Sequence, residues 1–243
     1  YCNPEIVCYY NDNNPLNDYK INGDEQNRNA GMSYAPKETT TVKKILIAIP
    51  TNKNIEAETF KSIYDLTVPA GYTTEFQFFY GYQIDQIRNL IAEWARRYDY
   101  LLSVDSDIVL PSDALVKLLA AQADVVSGIY IQRKDTPRLE IYVRDQNQAL
   151  RNLDIDSMYA HPTDLRQVDG VGMGCCLINC NVIRQMPYPH FVYHSALDHA
   201  NTFSEDLYFC QQAQSHGFKI WMDRSIVCKH IGQTHYQVPP VKQ

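Results

Sequence analysis

From Lys43 onward the sequence alternates apolar runs with stretches of helical periodicity, and this alternation limits the fold more than any other feature. Ile45-Leu46-Ile47-Ala48-Ile49 contains no polar residue, the pattern of a strand buried on both faces. It stops at Pro50-Thr51-Asn52, after which residues 56–66 read as a helix. A second strand, Glu75 to Tyr80, ends at Gly81. A helix over residues 83–97 follows, with Ile84, Ile87, Ile91 and Trp94 on one stripe. Tyr100 to Val104 is the next strand, residues 112–121 a helix, and Asp124 to Tyr130 a further strand. Strands and helices in turn at this spacing build βαβ units. The expected fold class is α/β: an open, mostly parallel, Rossmann-like sheet with helices on both faces.

In such a sheet ligands collect at the carboxyl ends of the strands, where Thr51, Tyr80, Asp105 and Asp107 fall. Read as a strand, the stretch puts Asp105 and Asp107 on one face. Two carboxylates that close repel unless a cation lies between them. Oxygen ligands suit a hard divalent ion, which commonly also holds substrate phosphates. A plainer reading has the loop only start the next helix, with Ser112 or Asp113 at its N-terminus.

The second half has another texture. Residues 133–156 are charged, with one strand expected at Leu139–Val143. Gly170-Val171-Gly172-Met173-Gly174 leads into a strand rather than a helix, so it is no dinucleotide fingerprint. Glycine there allows positive φ or close approach of a ligand or another segment. Thr202 and Glu205 form a T-x-x-E capping box for a helix running to about His216 and closed by Gly217. Residues 219–223 and 225–228 read as two short strands, followed by His230. The polar residues 1–42 read as an N-terminal extension, 43–236 as a single domain and 237–243 as a tail.

In order, Ile49-Pro50-Thr51, Arg88-Asn89, Asp105-Ser106-Asp107, the 170–174 loop, Glu205-Asp206 and His230 resemble the motifs of GT-A glycosyltransferases, over about residues 43–232. The block from Leu101 through Ser127-Gly128-Ile129-Tyr130 is most similar to small glycosyltransferase-like proteins of viruses and phages, and to family-two-like or fungal mannan-type mannosyltransferases. The resemblance implies transfer of a sugar from a nucleotide-diphosphate sugar, UDP-sugar favoured, with Mn2+ or Mg2+ as cofactor. It implies Asp105, Asp107 and His230 as metal ligands, with His235 as the substitute for His230. Donor contacts would come from Pro50, Thr51, Tyr80, Arg88, Asp105, Ser106, Gly172, Met173 and Gly174. Arg88, one place beyond its helix's apolar stripe, either leans to the phosphates or is solvated. Tyr130 and Trp221 would supply a stacking face, although a core position suits Trp221 better. Asp206 would be the catalytic base, with Glu205 contacting acceptor or donor sugar. Mannan-type relatives retain configuration and need no such base, so stereochemistry is open at this point. The plain alternative for both acids is a favourable place at a helix N-terminus.

A net charge of −6 disfavours a broad grip on nucleic acid, although Arg133, Lys134, Arg138 and Arg144 could form a local phosphate strip. There is no apolar run of membrane-spanning length and no signal-peptide pattern. The 7 cysteines form no C-x-x-C pair, which argues against zinc and for a reducing compartment. The expected location is cytoplasmic. The acceptor, whether glycan, protein or modified DNA base, is not written in the sequence. Two other classes compete. Asp105-Ser106-Asp107-Ile108-Val109 also satisfies the D-x-D-x-[TV] pattern of haloacid-dehalogenase-type phosphatases, with Asp105 as nucleophile. That motif belongs on a first strand, however, and no later acidic cluster completes it. A non-catalytic sugar-nucleotide-binding module would keep the fold without turnover.

Overall fold

The computed structural model describes residues 41–81, 83–134, 136–193, 204–232 and 237–239, all within one compact unit, Thr40–Gln243. The N-terminal extension, up to residue 40, lies outside the described residues. The first half runs β1 (Lys43–Thr51), α1 (Ala57–Tyr64), β2 (Tyr72–Tyr80), α2 (Ile84–Ala95), β3 (Tyr100–Val104), β4 (Ile108–Val109), α3 (Ala114–Ala120) and β5 (Val125–Ile129). The second runs β6 (Ile141–Arg144), β7 (Leu150–Asn152), α4 (Ile155–Tyr159), β8 (Leu165–Val168), β9 (Gly170–Val171), β10 (Cys175–Asn179), α5 (Cys180–Gln185), α6 (Glu205–Ser215), β11 (Ile220–Val227) and β12 (Lys229–His230).

Seven strands form the central sheet in the order β2-β1-β3-β10-β5-β11-β8. Five run one way; β10 and β8 are antiparallel to their neighbours. The period of two along β1 divides its residues between two cores. Leu46 and Ala48 share a core with residues of α2, α5 and α6 on one face; Ile45, Ile47 and Ile49 share another with residues of α1 and α3. All five are buried, and each isoleucine or leucine so removed from water contributes about 1.5–3 kcal/mol. That double burial leaves only the strand ends free to hold polar chemistry.

β2 forms one edge, with Phe76 and Tyr80 exposed. The charged excursion is more ordered than its composition indicates: β6, β7 and β9 make a three-stranded sheet, and Asp154 caps α4 through Ser157 N–H. The two short strands expected near residues 219–228 are one strand, β11, interrupted by a register shift between Asp223 and Val227. Val238, in the expected tail, is buried in the core, and Pro239 O accepts from Tyr159 Oη at 2.9 Å. Cys175, Cys176, Cys180, Cys210 and Cys228 are free and buried. Among the described residues no helix is long and apolar enough to cross a membrane.

Candidate active site

β3 ends at Val104, before the first aspartate. Residues 105–107 form a turn closed by Ile108 N–H donating to Asp105 O at 3.1 Å. The alternation that would place both aspartates on one face therefore lapses, and their carboxylates go to different cations. This corrects the expected side-by-side pair. Beside the turn opens a cleft of about 680 Å3, lined by Pro50, Thr51, Ser106, Asp107, Arg133 and Gly232 among others. The Thr51 hydroxyl donates to Asn54 O at 2.7 Å and so shapes the loop after β1. Tyr80 is 64% exposed at the end of the edge strand, and its neighbour Gly81 lines the cleft instead.

Asp105 meets Arg88. Ile84 and Arg88 are one helical turn apart, so the arginine shares the inward side of α2. Its side chain is 6% exposed. Nη2 lies 3.1 Å from Asp105 Oδ1, and Nε lies 3.1 Å from both Glu205 Oε1 and Asp206 Oδ1. Nη1 is 3.4 Å from Ser103 Oγ. Arg88 is thus neither solvated nor free for phosphate, as the sequence reading had it. It is the buried counter-ion of three carboxylates.

One cation among three acids leaves a surplus of negative charge, and Asp206 carries the result. Burial pushes its carboxyl well above the usual carboxylate range; Arg88 pulls it down, while Glu205 and Asp105 push it further up. Oδ2 accepts from Met173 N–H at 3.2 Å, whereas buried Oδ1 has no hydrogen-bond donor. Nε–H of Arg88 is directed to Glu205. Both acids stand at the start of α6, whose N-cap is Ser204, with Oγ accepting from Leu207 N–H at 3.4 Å. Glu205 is the first helical residue rather than the third, so it has no capping-box role. Thr202 lies outside the described residues.

Asp107 faces the other way. Its Oδ2 is 2.9 Å from Arg133 Nη1, and its Oδ1 is 3.5 Å from His230 Nε2. The C-terminal strand β12 delivers the histidine by pairing antiparallel with β4, His230 opposite Ile108. His230 Nδ1 lies 2.8 Å from Ile131 O. A carbonyl only accepts, so Nδ1 carries a hydrogen, and Nε2 faces the Asp107 carboxylate as the second N–H of an imidazolium, since a bare lone pair there would repel it. Burial lowers the imidazole pKa, but Asp107 and the Ile131 carbonyl raise it further, for a net rise. Burial likewise works against ionised Asp107, yet His230 and Arg133 hold its carboxyl below the usual range.

The Asp107–His230 pair offers two ligands to a divalent ion such as Mn2+ or Mg2+ once Nε2 gives up its proton, with the Ile131 carbonyl keeping the other hydrogen on Nδ1. Asp105, the other expected ligand, is engaged by Arg88. Among the described residues no three His, Cys, Asp or Glu side chains form a cluster able to hold a metal. The donor set suits an ion completed by substrate phosphates and water. His161 is exposed and bonded to Thr163. His194, His199 and His235 lie outside the described residues.

The glycine loop answers to Tyr130. A Cβ on Gly172 would stand 2.2 Å from Tyr130 Oη, and one on Gly174 would stand 2.9 Å from it. Gly174 N–H donates to that hydroxyl at 2.9 Å. The two glycines make room for a buried phenol, which corrects the expectation of backbone pressed against a sugar. Tyr130 is buried and has no face for stacking, and Trp221 packs against the core. Burial and the carboxylates of Asp105, Glu140 and Asp206 keep Tyr130 protonated. Arg133, read from sequence as part of a phosphate strip, had no local signal tying it to Asp107. Arg144 of the same strip pairs with Asp169 at 3.7 Å.

The sequence matches no protein-family model and no curated protein. Among solved structures, A197 from STIV is similar at a TM-score of 0.55 and 17% identity, over 82% of this chain and 98% of that one. GalNAc-T7, crystallised with UDP, GalNAc and Mn2+, is similar at a TM-score of 0.54 and 10% identity, over 81% of this chain and 45% of that one. The fold is the GT-A-like fold of glycosyltransferases.

Proposed function

We propose that this chain is a metal-dependent glycosyltransferase that moves a sugar from a nucleotide-diphosphate sugar to an acceptor hydroxyl. The observation that carries the reading is the Asp107–His230 pair, whose aspartate lines a 680 Å3 cleft at the carboxyl edge of the sheet, a volume in the range of small-molecule sites. The similarity to a protein crystallised with UDP and Mn2+ favours a UDP-sugar and that ion. The catalytic domain would start at residue 43 and run past 236, since Val238 packs into its core, with cytoplasmic activity.

Asp107 and His230 would hold the ion, and Pro50, Thr51 and Ser106 the donor. The ion supplies Lewis-acid neutralisation of the leaving diphosphate. Asp206 would take the acceptor proton as the acceptor oxygen bonds to the anomeric carbon, while the bond from that carbon to the phosphate oxygen breaks and its electron pair leaves on the diphosphate. Its raised pKa strengthens it as a base. Arg88 keeps Glu205 and Asp105 in place around it. This arrangement implies inversion. The phosphatase reading loses its nucleophile, because Asp105 follows the third strand of the fold and is paired with Arg88.

A thermal-shift screen of nucleoside diphosphates and their sugars, with and without Mn2+, tests the reading, because a ligand of the native state raises the melting temperature. A Mn2+-dependent shift is expected with one nucleotide, followed by slow hydrolysis of its sugar conjugate. A flat screen would end the proposal, and binding without hydrolysis or transfer would leave a non-catalytic module.

A further inference from the structure

The second oxygen of Asp107 is held by a side chain with no part in the reaction above. Arg133 Nη1 lies 2.9 Å from Oδ2, and both residues line the same cleft. The Arg133 side chain is 52% exposed, against 6% for Arg88. It stands on the turn after β5, where Gln132 N–H donates to Arg138 O and Lys134 N–H to Gln132 O. The two arginines carry one charge each and are built oppositely. Three carboxylates lock the buried Arg88, while Arg133 is tethered by one ion pair in the cleft. A guanidinium fork suits phosphate oxygens as well as a carboxylate.

We propose that Arg133 is an exchangeable counter-cation: it neutralises Asp107 while the cleft holds no donor, and turns to the donor diphosphate when a divalent ion binds Asp107. The inference rests on the metal-dependent reading given above. Arginine and ion compete for one carboxylate, so the ion alone binds against Arg133. A diphosphate gives the displaced guanidinium a new partner, so ion and nucleotide bind cooperatively. Arg133 thereby opposes the metal alone and favours the metal–nucleotide pair.

Removing the side chain should therefore shift two affinities in opposite directions. Binding of Mn2+ alone is followed by the electron paramagnetic resonance signal of the free ion. Binding of UDP, GDP and CDP, each in Mn2+, is followed by calorimetry. Arg133→Ala is expected to bind Mn2+ alone about two- to fivefold more tightly, the worth of a half-exposed ion pair. It should bind the preferred nucleotide about tenfold more weakly, the worth of a charged hydrogen bond. Arg133→Lys should partly restore both. Lys134→Ala removes the same charge one residue away; if it reproduces both shifts, the effect is the general field and the proposal falls. It falls too if Arg133→Ala weakens Mn2+ binding or leaves nucleotide affinity unchanged. Wild-type protein that binds nucleotide equally well without Mn2+ would instead refute the metal-dependent reading, and the exchange with it, before any variant is made.

Discussion

Replacing Arg88 with methionine tests whether one cation holds the polar centre together. Methionine keeps much of the apolar stem's volume, so little packing is lost and the change is chiefly electrostatic. The side chain removed is 6% exposed and has carboxylate oxygens of Asp105, Glu205 and Asp206 each at 3.1 Å. Breaking a buried pair by deleting one partner costs about 3–5 kcal/mol, because the remaining charge is stranded away from water. For a domain of this size each kcal/mol moves the melting temperature by about 2–4 °C, so a fall of about 6–20 °C is expected at pH 8. At pH 5 the fall should be smaller, since protonation neutralises the stranded carboxyl groups. Should the variant prove too unstable to purify, Glu205→Gln provides the control. Alone it removes an Arg88 partner and should destabilise; combined with Arg88→Met it removes a stranded charge and should stabilise. A coupling of about 0.5–3 kcal/mol is expected for groups in contact. Denaturant melts of the four proteins at both pH values measure it. Equal losses at pH 5 and pH 8, or a Glu205→Gln effect of one sign in both backgrounds, would refute the reasoning.

Asp206→Asn should lower turnover about 10²–10⁴-fold with nucleotide affinity unchanged, as steady-state kinetics and calorimetry would report; near-normal turnover would remove Asp206 from the mechanism. The raised carboxyl pKa places the acid limb of the wild-type pH–rate profile well above pH 4, and the variant should lack that limb. Because the folded pKa exceeds the unfolded one, the stability this proton uptake provides is complete in acid and is lost as pH rises through the folded value. Thermal melts should therefore show Asp206→Asn gaining on wild type from pH 4 to pH 8. Asp107→Ala should abolish the Mn2+-dependent part of nucleotide affinity and leave the circular-dichroism spectrum unchanged. Gly172→Ala sets a methyl 2.2 Å from Tyr130 Oη and should cost about 1–3 kcal/mol in a denaturant melt. Tyr130→Phe should be better tolerated in that background than in wild type.

Period-two and helical patterns carried the framework. β1, β3 and α2 could be read locally because burial on fixed faces writes itself into neighbouring residues. Strand direction could not, since the run Cys175 to Ile178 of β10 is apolar whichever way it goes. The aspartates were misplaced because the alternation rule holds only while the backbone stays extended, and β3 stops one residue too soon. Arg88 was legible in part: its four-residue offset from Ile84 points inward. Two of its partners, however, are Glu205, 117 residues away, and the next residue Asp206, beyond any local pattern. Glycines at 172 and 174 announced a close approach without saying to what. Tyr130, more than forty residues earlier, supplied the answer. His230 could be placed near Asp107 by resemblance alone, and the pairing of β12 with β4 gives the physical reason.

The antiparallel strand β10 also sets an order of assembly. β1, β2 and β3 can pair as soon as residue 104 is made, but β5 pairs with β10 and β11, both later in the chain. At synthesis rates of about 5–20 residues per second, the 75 residues from 104 to 179 take about 4–15 s to emerge. When β10 enters, Cys175 aligns with Val104, and Asp105 N–H donates to Gly174 O at 3.2 Å. The same insertion brings Met173, the hydrogen-bond donor to Asp206, to the end of β3. Entry of β10 thus readies the end of β3 before the acidic centre can form, because Glu205 and Asp206 are made later still, and a nascent chain halted before residue 205 carries no assembled centre.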